Sequence, residues 1–68
     1  MRSALLSDRE KEVVRLVAEG MSNQAIGERL KISVRTVEAH RSRIMLKLNL
    51  RSVAELVRYA VRNQLIDP

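Results

Sequence analysis

Two short helical patterns stand almost end to end in the middle of this chain, and their joint constrains the fold more than any other feature. The first pattern covers residues 22–30, and the second begins at Ser33. Only Lys31 and Ile32 lie between them. Helices coupled by so few residues predict a helix-turn-helix unit.

A further helix is predicted on either side of this unit. Ser7 and Glu10 have the spacing of a capping box, in which the side chain of each residue binds the backbone N–H of the other. Ser52 and Glu55 repeat that spacing and begin a last helix. No strand-like alternation appears, and no linker divides the chain. We therefore predict one all-α domain over residues 1–68, a four-helix bundle with a central helix-turn-helix.

The third predicted helix has one apolar side that can face the core. Ser33 caps its start, and Asn49 can take the left-handed position at its end. At about 100° per residue, four apolar side chains share this side: Val34, Val37, Ile44 and Leu48. The opposite side is then free to meet a partner.

The charge of the chain predicts a polyanionic partner for that free side. The formal net charge is +5, and the basic residues are concentrated between Arg29 and Arg51, where Glu38 is the one acid. A basic surface beside a tight two-helix unit is typical of DNA binding. Tyr59 is the one aromatic residue, so a base-stacking platform for single strands is not expected. Duplex DNA is the predicted partner.

Several classes of protein do not fit the composition. The chain has no cysteine and one histidine, which disfavours disulfides, zinc fingers and cysteine nucleophiles. No cluster of acid, base and nucleophile indicates an enzyme, and no cofactor or metal is expected. No apolar stretch resembles a signal peptide or a membrane span, so we expect a cytoplasmic protein without a membrane partner.

Four outer residues of the third helix are the candidates for reading base edges. They offer a carboxylate, a methyl group, a hydroxyl and a guanidinium to the major groove, where each has a matching base edge: Glu38, Ala39, Ser42 and Arg43. Because Glu38 lies near the positive end of its helix, stabilisation of the helix dipole is an equally weighted alternative for it.

Phosphate contacts are predicted where helices two and three begin, because free N–H groups there attract anions. The candidates at these starts are Ser22, Asn23, Gln24, Ser33, Arg35 and Thr36. Arg41 and Lys47, further along helix three, are predicted phosphate contacts as well. The two serines are caps whether or not a phosphate is near. The stem of Arg41 is expected to lie along apolar surface while its guanidinium reaches outward.

The last helix is apolar over nearly half of its circumference, whereas one core needs a stripe about 100° wide. The apolar set is Val53, Ala54, Leu56, Val57, Ala60 and Val61. The surplus fits either a helix buried deeply in its own domain or a symmetric dimer contact. The sequence leaves both explanations open.

Several linked motifs resemble the LuxR-type helix-turn-helix domain. They are LSDRE at residues 6–10, EGMSNQAI at 19–26, ISVRTVEAH at 32–40 and KL at 47–48. The resemblance implies a DNA-binding output domain of bacterial transcription regulators, with the third helix in the major groove and the fourth as a dimer surface. It implies base contacts at Glu38, Ala39 and Ser42, and backbone contacts at Thr36 and His40. It implies dimer contacts at Val53, Val57 and Val61.

The resemblance also implies a longer protein, because family members usually carry this domain after a receiver or a small-molecule-binding domain. We therefore expect this chain to be the C-terminal part of such a regulator. Three residues depart from the family pattern. Gly27 replaces the usual alanine, at a cost of about 1 kcal/mol in helix propensity. Leu46 replaces a polar residue, and Glu38 replaces a frequent lysine.

Our leading hypothesis is a sequence-specific transcription factor that binds half-sites about one helical turn apart as a dimer. One alternative is a promoter-binding domain like region four of a sigma factor, and a contact with RNA polymerase is a further expectation. The capped helix that begins at Ser52 argues against the sigma-factor alternative. The other alternative is a helical protein-interaction module whose basic face meets an acidic partner.

Overall fold

The computed structural model describes residues 6–66, and this part of the chain forms four α-helices and no strand. The helices are α1 (Asp8–Ala18), α2 (Asn23–Leu30), α3 (Val34–Leu48) and α4 (Val53–Arg62). The predicted all-α fold with a central helix-turn-helix is confirmed. None of these helices has the length and apolar character needed to cross a bilayer.

A serine caps the start of every helix, as the sequence predicts. Each serine Oγ accepts a hydrogen bond from the backbone N–H three residues later, which satisfies one free donor of the first turn. At α1 the capping box is complete, because the backbone N–H of Ser7 also donates to Glu10 Oε1 at 2.9 Å.

The second predicted capping box is wrong in one half. Ser52 Oγ accepts from the Glu55 N–H at 3.2 Å, but Glu55 Oε1 accepts from the N–H of Arg51 at 2.7 Å rather than from that of Ser52. The difference follows the backbone, since Ser52 has a φ of −150° where Ser7 has −73°. The Glu55 carboxylate therefore ties down the residue before the cap.

Helix α1 is central to the packing, because it contacts each of the other three helices. It buries Val13, Val14, Leu16 and Val17. The other helices meet it with Ile26, Val37, Ile44, Leu56 and Ala60, and Leu6 closes the same core. Helices α2 and α3 also pack on one another, which fixes the helix-turn-helix against the α1 scaffold.

Val34 does not lie on the buried side of α3, where the sequence pattern places it. Its residue is 39% exposed, whereas Val37 and Ile44 are buried and Leu48 is half-buried. Val34 is the first residue of the helix and precedes the turn at which α3 reaches the core. Val34 is therefore only partly covered, one turn before Val37, the first residue of α3 that the core buries.

The joint between α2 and α3 requires close backbone packing. Lys31 ends α2 in the left-handed conformation with φ 61°, and the Ile32 N–H donates to the Gly27 carbonyl at 2.9 Å. A Cβ atom at Gly27 would lie 2.7 Å from the Ile32 carbonyl oxygen, closer than side chains normally approach. Glycine at this position therefore allows the tight turn in addition to weakening the helix. Asn49 ends α3 at φ 56°, as predicted.

Candidate nucleic-acid interface

The outer side of α3 presents all four predicted base-reading residues to solvent. This follows from the helical period, because burying Val37 and Ile44 against α1 turns the other side of the helix outward. The exposed side chains are Glu38, Ala39, Ser42 and Arg43. They lie on one side of the helix, and the exposed side chain of Leu46 follows them towards its end.

The starts of α2 and α3 carry most of the predicted phosphate contacts. Ser22 Oγ accepts from the Ala25 N–H at 3.1 Å, and Ser33 Oγ accepts from the Thr36 N–H at 3.0 Å. The hydroxyl of Thr36 also lies 2.9 Å from Ser33 Oγ. Both serines thus act as caps. The other polar side chains that stand exposed at these two helix starts are Gln24 and Arg35.

Arg41 connects the two helices of the helix-turn-helix. Its Nη1 donates to Asn23 Oδ1 at 2.7 Å, and both residues are half-buried. This bond holds the guanidinium of an α3 residue beside the first turn of α2. The positive end of a helix and a fixed cation together favour an anion at this place. The sequence predicts both residues as phosphate contacts but does not show that they bind one another.

Lys47, another predicted phosphate contact, is paired within the protein. Its Nζ lies 2.8 Å from Glu10 Oε1 and donates to Glu10 Oε2 at 3.1 Å. The pKa of Glu10 lies below its ordinary value, chiefly because Lys47 and the Ser7 N–H donate hydrogen bonds to the carboxylate. The charge of Arg43 acts in the same direction, and burial opposes it. A helix cap is all that the sequence pattern predicts for Glu10.

His40 lies at the flank of the exposed side of α3 and is half-buried. Its Nδ1 is enclosed and has no hydrogen-bond partner among residues 6–66. Nε2 is therefore the ring nitrogen through which His40 could contact an external group.

Helix α4 divides its wide apolar arc between the core and the surface. Leu56 and Ala60 are buried in the core. Val53 is 48% exposed, while Val57 and Val61 are half-buried. These three valines recur every four residues and form one stripe, which we call the valine stripe. The helix is therefore not buried on all apolar sides.

An open groove of about 400 Å³ lies on another side of α4, where the end of α3 approaches it. Leu48, Leu50 and Tyr59 supply its apolar lining, and Glu55, Arg58 and Arg62 supply its polar lining. The groove depends on residues from three segments, so no local sequence pattern predicts it.

Comparison with known proteins agrees with this geometry. The sequence profile of the family described as bacterial regulatory proteins, luxR family, matches residues 4–60. The oxygen regulatory protein NreC of Staphylococcus carnosus (strain TM300) is 52% identical over 63 residues. The proteins of the same name from Staphylococcus haemolyticus (strain JCSC1435) and Staphylococcus aureus (strain JH9) are 51% and 49% identical. Each alignment covers 93% of this chain but only 29% of the relative's length.

Proposed function

Because the chain belongs to the luxR family of bacterial regulatory proteins, we propose that it binds specific sequences of double-stranded DNA with α3 in the major groove. The family is a class of DNA-binding regulators and not a class of enzymes. The exposed outer side of α3 is the observation that carries the proposal. An α-helix fits the major groove, and Glu38, Ala39, Ser42 and Arg43 offer groups that distinguish base edges there.

Phosphate contacts on both sides of the groove would set the position of α3. Arg41, held by Asn23, and the exposed side chains at the starts of α2 and α3 supply these contacts. His40 would add a contact through Nε2, since its Nδ1 is enclosed. Lys47 has a weaker case than the others, because its ammonium group already neutralises Glu10. To contact a phosphate as well, the same ammonium group would have to share its three N–H donors between Glu10 and the phosphate.

The valine stripe would pair two copies of the chain on adjacent half-sites. Packing Val53, Val57 and Val61 against their symmetry mates removes apolar surface that one domain leaves uncovered. A two-fold dimer of helix-turn-helix domains places half-sites about 34 Å, or one helical turn, apart.

In a full-length regulator, this chain would act as the output domain of a cytoplasmic response regulator. The support is its similarity to NreC proteins, of which it spans less than a third. The signal would then be received by another part of such a protein and would reach DNA through this domain.

Selection from a random duplex pool, followed by a salt titration, tests the DNA-binding proposal. We expect one enriched motif and a steep linear fall of log affinity with log salt concentration. Arg43→Ala should weaken binding to the motif by about 1–3 kcal/mol. Arg15→Ala, which removes an exposed charge from α1, is the matched control and should have a much smaller effect. A flat salt response with no enriched motif would contradict the proposal.

The groove beside α4 favours a second candidate function, the docking of an acidic protein segment, RNA polymerase included. Two arginines, Arg58 and Arg62, line it against one acid, Glu55, beside three apolar or aromatic side chains. Arg58→Glu separates the two functions, because it should abolish docking of an acidic peptide while leaving the enriched DNA motif unchanged. Loss of sequence selection in this variant would count against a separate docking function.

A further inference from the structure

Leu46 is an apolar side chain that the core does not use. Its residue is 82% exposed, compared with 39% for Val34 and 48% for Val53. Those two valines begin their helices, whereas Leu46 lies in the last turns of α3. A single exposed leucine is common on protein surfaces. The position of Leu46 on α3, however, suggests a functional role.

Leu46 continues the row of base-reading candidates. It follows Ala39 by seven residues, which returns a helical side chain to within about 20° of the same direction. It also follows Ser42 by four residues and Arg43 by three, the spacings at which neighbours on one side of a helix meet. Its chain neighbours point elsewhere, since Met45 packs on the core and Lys47 turns back to Glu10.

We propose that Leu46 contacts the C5-methyl group of a thymine at one end of the half-site and so helps to choose the target sequence. The inference rests on the proposed function, in which α3 occupies the major groove. In zinc-finger helices, side chains about one turn apart contact successive bases. By the same spacing, Leu46 would contact the base pair next to those that Ser42 and Arg43 contact.

The chemistry of leucine decides which base it prefers. Thymine carries the one methyl group on the major-groove edges, and apolar side chains recognise it. Leucine has no hydrogen-bonding group for guanine O6, adenine N6 or cytosine N4. Covering one of those edges would leave a polar group without water or a partner, which opposes binding. Leu46 thus favours thymine both by contact and by exclusion.

Replacement of single thymines by deoxyuracil in the selected duplex tests this assignment, because it removes the C5-methyl and keeps the base pair. For the unaltered chain, we expect a loss of about fourfold in affinity at one thymine near an end of the half-site, the value of one buried methyl-sized group. Leu46→Ala should lose this sensitivity at that thymine alone, and Leu46→Met should keep it. All three residues are strong helix formers, so α3 should remain intact.

Equal sensitivity of the unaltered chain and Leu46→Ala at every thymine would overturn the assignment and leave the DNA-binding proposal standing. The same holds if no deoxyuracil lowers the affinity of the unaltered chain. Failure of the unaltered chain to enrich any duplex would contradict the proposed function itself. The two failures are therefore distinguishable.

Discussion

Lys47 Nζ lies 2.8 Å from Glu10 Oε1, and this ion pair joins the last turn of α3 to the first turn of α1. The Glu10 residue is only 3% exposed, and its carboxylate also accepts from the Ser7 N–H. One carboxylate thus completes the cap of α1 and holds the end of α3. Because Lys47 remains partly solvated, the pair is screened more than a fully buried one.

The depressed pKa of Glu10 predicts that acid weakens the fold. The pKa in the folded chain lies below the ordinary value of 4.5, so the unfolded chain binds a proton first as the pH falls. The stabilisation is complete above the unfolded pKa and is lost as the pH falls through the folded pKa. Melting temperatures measured between pH 7 and pH 2 should fall most steeply below about pH 4.5.

Glu10→Gln should reduce that steep fall, since an amide does not titrate. Glu12→Gln is the matched control, because Glu12 belongs to the same helix and forms only an exposed 3.8 Å ion pair with Arg9. Identical pH profiles for Glu10→Gln and the unaltered chain would show that another group causes the acid sensitivity.

Replacing Lys47 alone should lower the free energy of unfolding more than replacing both Lys47 and Glu10. Lys47→Met leaves the Glu10 carboxylate buried without its main partner, and we expect a loss of about 1–3 kcal/mol in the free energy of unfolding. Glu10→Gln combined with Lys47→Met should lose less than the sum of the single variants. Urea denaturation of the four chains gives this double-mutant cycle. An additive result would mean that the two side chains do not interact.

The helices and their order could be predicted from the sequence because the signals are local. Each serine cap and each helical repeat of apolar residues involves residues that are close together in the chain. All four helix starts can therefore be predicted. The exposed side of α3 follows in the same way. The predicted buried side is wrong at Val34, which is the first residue of α3 and is 39% exposed, because a periodic pattern does not tell how far the core extends along the helix.

Contacts between distant residues could not be predicted in this way. Glu10 and Lys47 are 37 residues apart, and no local pattern relates them. The bond from Arg41 to Asn23 spans 18 residues, and it becomes visible only when α2 and α3 are packed. The Glu55 bond to Arg51 depends on the φ angle of Ser52. The sequence therefore predicts which surface α3 exposes, but not how that surface is held.

Gly27→Ala should destabilise the domain, although this change usually favours a helix. The new Cβ would lie 2.7 Å from the Ile32 carbonyl oxygen, and backbone atoms cannot move aside cheaply. Alanine favours the helix by about 1 kcal/mol, but the steric clash outweighs this gain. We expect the free energy of unfolding to fall by up to about 2 kcal/mol in total. Lys31→Gly at the same joint should act oppositely, because glycine adopts the left-handed conformation of residue 31 without strain. Thermal melting compares both, and a stabilised Gly27→Ala would refute the steric argument.

Replacement of a residue in the valine stripe should lower the affinity for a duplex with two half-sites but not for a duplex with one. Val53→Asp places a charge on exposed apolar surface, so the fold should persist while pairing of two copies is opposed. Affinity for a duplex with two half-sites should fall at least about tenfold, and affinity for a single half-site should be unchanged. Gel-shift titration with both duplexes measures this. Equal losses on the two duplexes would place Val53 outside a dimer contact.

The bond from Arg41 to Asn23 should matter for DNA affinity more than for stability. Asn23→Ala removes the acceptor that orients the guanidinium of Arg41. Arg41 would then have to be ordered during binding, which should weaken the binding free energy by about 0.5–1.5 kcal/mol. Because Arg41 keeps its charge, the slope of log affinity against log salt should stay nearly constant. Arg41→Ala should instead reduce that slope by about one. Gln24→Ala removes a neighbouring phosphate candidate but leaves the Arg41–Asn23 bond intact, so it measures the loss of one amide contact without any change in the positioning of Arg41. An Asn23→Ala chain with unchanged affinity would show that Arg41 needs no positioning.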